Sequence, residues 1–426
     1  MRRHLCLLVA GIAAVSGIAA LSFGSKVASA ASDKPPIVVG GDGDLASAAG
    51  AVQGFEAGIA RFNKAGGLDG RKIKFVGFLD DGYSAQTNLT NAQQLVENKH
   101  VTVVAPFLSE ISTAATGTYL AASKTPFIGW AVSSAFATAP TWGYGVNGNQ
   151  TNPQAVVIAG VQQLLKVTGN TKTPSRIKVA GIAENVSAGI SALNGAVAAY
   201  RYLGARVVYH KAPIAVLGST SYAPYAQAII ASGANVAFEV LDSADAIGLA
   251  AALKAEGFKG LIYNGVTYFP GQLAAQPNEA ASLNGALVEN EFPADENDTP
   301  ATNQAKKDLA SIGQPPELTS GVSVGYWSAI VLEQMLKATL AKVGGNPMKV
   351  SAATIRSTVN DGYTYRDPIA GGIGTMYFPA AESIPTGCLT TLKVVGTTYK
   401  QLVPYNCASG VLNLATHKLY HLKTGN

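Results

Sequence analysis

Short runs rich in Val and Ile alternate with longer segments whose apolar residues recur at helical spacing. No other feature limits the possible folds as much. The runs are PIVVG (36–40), IKFVGF (73–78), VTVVAP (101–106) and TPFIGW (125–130), with GFEAGIARFNKA (54–65) and NLTNAQQLVEN (88–98) between them. A strand apolar at consecutive positions is buried on both faces, so the pattern implies a parallel sheet covered by helices on both sides. After residue 150 the pattern restarts. NPQAVVIAGVQQLLKV (152–167), SALNGAVAAYRYLG (191–204) and DAIGLAAALKAEG (245–257) read as helices, and RIKVAGIA (176–183), ARVVYHK (205–211), NVAFEV (235–240) and GLIYNG (260–265) as strands. A chain of 426 residues exceeds what one core usually supports, and 48% hydrophobic against 13% charged residues supplies enough core for two domains.

The polar, Pro-containing stretch ENEFPADENDTPAT (289–302) reads as a connection between the two units. VGYWSAIVLEQMLKATLAKVGG (324–345) reads as a long helix with a Gly end, and the last sixty residues turn to β-hairpin patterns. The expected organisation is α/β. It comprises a signal segment over 1–30, one lobe from 31–149 plus about 290–365, and a second from 150–289 plus about 366–426, with a C-terminal β-hairpin extension.

The signal segment rests on Arg2 and Arg3, the apolar run Leu5 to Leu21, and the A-x-A pattern Ala28-Ser29-Ala30, with the cut after Ala30. The competing reading is an uncleaved anchor. Cleavage removes three basic residues and lowers the net charge from +5 to +2. With no Lys/Arg run and no basic–aromatic stripe, no nucleic-acid partner is expected. Cys6 leaves with the signal. Cys388 and Cys407 flank TTLKVVGTTYKQLVPY, two strand-like runs meeting at Gly396. In an oxidising compartment they suggest one disulfide across a hairpin mouth, with two buried thiols as the alternative.

Several motifs, in order, resemble exported type I periplasmic binding proteins of the leucine/isoleucine/valine-binding kind. They are Phe62-Asn63-Lys64-Ala65-Gly66-Gly67-Leu68-Asp69-Gly70-Arg71-Lys72-Ile73 followed by Asp80-Asp81, then Gln93-Gln94-Leu95-Val96 and Ser221-Tyr222-Ala223-Pro224-Tyr225. Leu253-Lys254-Ala255-Glu256-Gly257-Phe258 and Gly325-Tyr326-Trp327-Ser328-Ala329 complete the series, which covers nearly all of 36–380. The resemblance implies two Rossmann-like lobes joined by three crossovers and closing on a small molecule such as an amino acid. It also implies a periplasmic or cell-envelope location, a monomer, no cofactor, and a membrane permease and ATPase as partners. A ligand-sensing receptor or scaffold built on the same clamshell is the second reading.

Ligands of parallel sheets bind beyond the carboxyl ends of the strands, where helix N-termini favour anionic groups. The loop Gly41-Asp42-Gly43-Asp44-Leu45-Ala46-Ser47 matches G-x-G-x-x-A, but Asp42 and Asp44 would repel a pyrophosphate. The two acids suit a cationic or hydroxylated ligand, or a solvated turn. In the next loop the resemblance implies that Ser109 or Ser112 holds a ligand carboxylate, with Glu110 adjacent and Thr113 in support; all three hydroxyls also suit helix capping. It implies contacts from Ala131 and Ser133 as well, and Trp130 either stacks on a ligand or packs at the hinge. From the second unit come Glu184, Asn185, Ser187, Asp242, Ser243 and Tyr268, and from the long helix Tyr326, with solvated loop charges and core aromatics as the plainer readings. Val266 and Ala188 stand where amino-acid-binding relatives carry a glutamate and a tyrosine, so Asp242 or Glu184 would have to supply the counter-charge.

An enzyme is the remaining class. Gly321-Val322-Ser323-Val324-Gly325 matches the nucleophile elbow of esterases, and Asp361, Asp367, His417 and His421 follow it. The elbow requires a preceding strand, which GQPPELTS does not resemble, so Ser323 is expected in a helix entry and no catalysis is expected. His417 and His421 are spaced H-x-x-x-H, but no Cys pair with zinc spacing accompanies them, and no metal site is expected.

Overall fold

The computed structural model describes residues 34–425 apart from 47, 217, 266 and 267. The signal segment and its cut therefore lie outside the described residues, as do Ser47 and Val266. The first sheet holds β1 (Ile37–Gly43), β2 (Ile73–Asp80), β3 (Val103–Leu108), β4 (Phe127–Gly129) and β5 (Gly143–Gly145), all parallel, in the order β2-β1-β3-β4-β5. Helices α1 (Ala51–Lys64), α2 (Ala85–Gln93, continued by a π turn) and α3 (Ala114–Ala122) connect its strands.

The chain then crosses to the second lobe. Where a helix over 152–167 is expected, Ala155–Val157 instead form a short strand, β6, and the helix α4 spans only Ala159–Val167. Val156, Val157 and Ile158, all β-branched, follow Pro153, and a strand from the chain's tail pairs with Ala155–Val157, so extended backbone wins over helical periodicity.

The second sheet, which does not include β6, holds β7 (Lys178–Glu184), β8 (Arg206–Ile214), β9 (Val236–Val240), β10 (Leu261–Asn264) and β11 (Leu287–Asn290). Its connecting helices are α5 (Ser187–Tyr202), α6 (Ala223–Ala231), α7 (Ser243–Ala255), α8 (Pro270–Ala275) and α9 (Pro277–Leu283). The parallel strands lie in the order β8-β7-β9-β10-β11, so each lobe runs second, first, third, fourth, fifth. Both are doubly wound, with a switch point beside the first strand. β11 occupies the start of the stretch expected to be a connection.

The chain returns to the first lobe as α10 (Pro300–Ser311), α11 (Ser320–Lys342) and α12 (Ala352–Asn360). α11 packs on α1 and under the first sheet. Glycines set how closely the two helices cross. A methyl on Gly54 would overlap Val322 O, and methyls on Gly321 and Gly325 would overlap Ala49 O and Ala51 O. The G-x-S-x-G match is therefore a helix-packing motif, and Ser323 sits fully buried inside α11 rather than on a strand-to-helix turn.

Tyr365, Ile373, Met376, Phe378 and Ala381 also pack into the first lobe's core, around the small ladder of β12 (Thr364–Tyr365) and β13 (Met376–Tyr377). The indole of Trp327 on α11 donates to Asp367 at 2.9 Å and ties this segment down. The third crossover thus falls after Ala381, later than the expected change near 365. β14 (Leu389–Val395) and β15 (Thr398–Asn406) form an antiparallel hairpin that extends the second sheet, and Cys388 and Cys407 are disulfide-bonded across its mouth. In the tail, β16 (Val411–Asn413) pairs with β6 and with β17 (Lys418–Leu419).

The three crossovers are tied to one another. Gly148 and Pro385 form an isolated antiparallel bridge, Thr386 N donates to Asn147 O at 2.8 Å, and Asn149 N donates to Ala381 O at 3.0 Å. The Asn147 side chain donates to Glu291 O at 2.6 Å in the middle crossover.

Candidate functional site

A cavity of about 690 Å³ opens between the lobes and takes walls from both. Of the residues singled out from sequence, Glu110 and Trp130 line it from the first lobe, and Glu184, Asp242 and Ser243 from the second. Glu184 ends β7 and Asp242 follows β9, so both stand at the second sheet's switch point.

Their chemistry is dense in oxygen. Glu184 Oε1 accepts from Asp242 N at 2.6 Å, Asp242 Oδ1 caps α7 through Asp245 N at 2.9 Å, and the Tyr222 hydroxyl donates to Asp245 Oδ1. Burial pushes Glu184 up to about 8, opposed by the Asp242 N–H and reinforced by the charges of Asp242 and Asp245. Carboxylate oxygens of these three acids lie within 4.8 Å of one another, close enough to share a proton or a cation.

The other sequence candidates lie elsewhere. Asp42 is fully buried at the end of β1, accepting from Asn88 at 3.0 Å and from Asn91 at 3.1 Å. Asn88 also donates to Asp81 at 3.2 Å and accepts from Ser112 at 2.6 Å and Thr116 at 3.0 Å. Burial raises Asp42 well above the usual carboxylate range and raises Asp81 too. Asp42 and Ser112 thus belong to a closed internal network, and Ser109 is buried beside Asp81. Asp44, Ala131 and Ser133 are buried outside the cavity lining. Thr113, Asn185 and Ser187 are exposed, also away from it.

The two tyrosines are core residues. The Tyr268 hydroxyl donates to Glu296 at 2.6 Å and accepts from Asp295 N at 3.0 Å, while its ring packs on Tyr399. The Tyr326 hydroxyl donates to Asp308 at 2.8 Å, next to the Arg61–Glu333 ion pair at 2.7 Å. In both cases an aromatic ring with one satisfied hydroxyl fills the core better than it could reach a cleft.

The cavity floor comes from residues that the sequence reading passed over. Glu289 and Glu291 both face it. They are two apart at the end of β11, and alternation along a strand puts such positions on one side. Glu289 Oε2 accepts from the Tyr263 hydroxyl at 2.7 Å, and a methyl on Gly160 would overlap that oxygen, so the glycine in α4 makes room for the carboxylate. Gln150 donates to Glu291. Burial pushes each acid up to about 7; the charge of Glu291 adds to the rise at Glu289, and the Gln150 amide and Trp130 indole oppose it at Glu291. The signal available in sequence was E-x-E immediately before a crossover, hidden inside an otherwise polar stretch. Phe269, Gln272 and Glu317 line the cavity as well and carried no signal at all.

A family model described as periplasmic binding protein matches residues 38–398, most of the chain. The chain belongs to the type I periplasmic binding proteins. Solved structures repeat this binding protein's fold. A solute-binding protein from R. palustris in complex with 4-hydroxybenzoate superposes with a TM-score of 0.66 at 20% identity, covering 86% of this chain and 96% of that one. A fatty acid ABC transporter substrate-binding protein from Thermomonospora curvata gives 0.72 at 20% identity, over 92% and 96%. A branched-chain amino acid ABC transporter protein from Thermus thermophilus with bound valine gives 0.70 at 16% identity, over 88% and 97%. No curated protein sequence matches the chain. Among the described residues, no helix of this binding protein is long and apolar enough to cross a membrane.

Proposed function

We propose that this protein is the extracytoplasmic solute-binding component of an ATP-driven importer, holding a small molecule between its lobes and delivering it to a membrane permease and its ATPase. One observation carries the reading: the large cavity lies between two doubly wound lobes and takes walls from both. A ligand touching both walls makes its full set of contacts only when the lobes close, so binding favours the closed form. Its size falls in the range of ordinary small-molecule sites, roughly 300–1,000 Å³. Glu110, Trp130, Glu184, Asp242 and Ser243 are the proposed contacts from the sequence reading, joined by Glu289, Glu291 and Gln150.

No catalysis is part of this function. Ser323, the one nucleophile with a motif match, is buried in a packed helix. The test is thermal unfolding and small-angle scattering of the mature protein with a broad metabolite panel. A cargo raises the unfolding temperature and reduces the radius of gyration. The proposal is overturned if no compound does either, and turnover of acyl esters that is lost in Ser323→Ala would put an enzyme in its place.

A further inference from the structure

The charge inventory of the cavity is one-sided. Glu110, Glu184, Asp242, Glu289, Glu291 and Glu317 line it, and among the described residues no Lys, Arg or His does. Of the helices that begin on the cavity wall, α7 and α11 are capped by their own Asp242 and Thr319 side chains, whereas α4 and α5 start there without a side-chain cap, α5 three residues after Glu184. At the floor, Glu289 and Glu291 face the same space, each raised by burial, with Glu291 acting on Glu289. Tyr200, also on the lining, is fully buried with a hydroxyl that has no hydrogen-bond partner, and Glu289 acts on it electrostatically.

An anion entering this space meets charged side chains of its own sign only. A neutral ligand leaves the floor acids partly protonated near neutrality, because burial disfavours their charge. A cation favours the ionised form of both acids, and Trp130 on the same wall is an aromatic side chain of the kind that makes cation–π contacts. We infer that the cargo is an organic cation with an apolar body, a protonated amine or quaternary ammonium, whose charge sits at Glu289 and Glu291 beside Trp130. The inference rests on the solute-binding reading and gives that same cleft its substrate class.

The pH dependence has a definite sign. The groups facing the floor acids are Tyr263 and Tyr200 at Glu289, Gln150, Trp130 and Tyr405 at Glu291, and the two acids themselves. None is a base that titrates near neutrality. The free protein therefore holds protons on these acids below about 7, and a cation must expel them. Affinity rises as pH increases through that value and levels off above it, by up to about tenfold per pH unit for each group displaced.

The experiment is calorimetry on the mature protein with octyltrimethylammonium, octanol and octanoate between about pH 6 and about pH 8.5. The ammonium should bind at least about tenfold tighter than the other two, tighten with pH and release protons on binding. Glu289→Gln and Glu291→Gln, made separately so that one misfolded variant does not decide the matter, should each weaken ammonium binding about tenfold and flatten its pH profile. Equal or tighter binding of octanoate or octanol overturns the inference and leaves the solute-binding reading standing, as does unchanged ammonium affinity in both variants. If only a compound from the wider metabolite panel binds, its charge decides: a cation supports the inference, an anion or neutral solute overturns it. Absence of binding by every compound overturns the solute-binding reading itself.

Discussion

The two lobes share one strand order and use their switch points in opposite ways. In the first lobe, Asp42 at the end of β1 is locked to Asn88 and Asn91, and Asn88 is locked in turn to Asp81, Ser112 and Thr116. That crevice is filled by the protein's own side chains. In the second lobe, Glu184 and Asp242 stand at the equivalent place and still line the cavity, as do Glu289 and Glu291 two strands away. The same topology can therefore invest its polar groups in rigidity or leave them available to a ligand. Here the first lobe's switch point is closed by its own side chains, and the second lobe's acids stay on the cavity wall.

The strongest way to break this comparison is to disturb the scaffold. Gly325→Val forces a branched side chain into Ala51 O and should destabilise the fold by about 3 kcal/mol, read by urea unfolding. An unchanged midpoint would show that α1 and α11 can separate without cost. Asn88→Leu leaves two buried carboxylates and two hydroxyls short of a partner, and should cost about 2–3 kcal/mol while altering ligand affinity less than twofold. A large affinity loss with intact stability would move the first lobe's switch point into the binding site.

Glu184→Gln probes the opposite lobe. Because burial raises the Glu184 pKa to about 8, the folded protein keeps a proton there that the unfolded chain loses near the ordinary carboxyl value of 4.5. The favourable contribution of the protonated group is complete below that ordinary value and is lost as pH rises towards about 8. The Gln variant should therefore be about 1–2 kcal/mol more stable than the parent near pH 8.5, and equal to it at acid pH. A parent whose stability climbs between about pH 5 and about pH 8 would refute the assignment. The smallest effect belongs to Ser323→Ala. Removing a fully buried hydroxyl with no partner should leave stability within about 1 kcal/mol, on the favourable side.

The fold was legible because periodicity reports burial, and burial on both faces of a strand is a property of the local sequence. The lobes, the long helix α11 and the disulfide-closed hairpin follow from apolar spacing, Gly punctuation and two cysteines. The site was less legible because cleft and core draw on the same residue types. Nothing local separates Asp42, whose carboxylate faces two amides, from Glu184, whose neighbours are other acids. Tyr268 and Tyr326 fill cores because Glu296 and Asp308, far along the chain, meet their hydroxyls. Glu289 and Glu291 were passed over since a polar, Pro-containing stretch reads as linker, and only pairing with β10 and β14 makes its first residues a strand.

The ties among the three crossovers bear on how the molecule can move. Three separate cords would let one lobe twist or slide over the other. Asn147, Gly148 and Asn149 are bonded to the segments around Glu291 and Pro385, so the three cords are laced side by side into one strap. Twisting or sliding one lobe over the other would have to break these bonds, whereas bending across the strap would not.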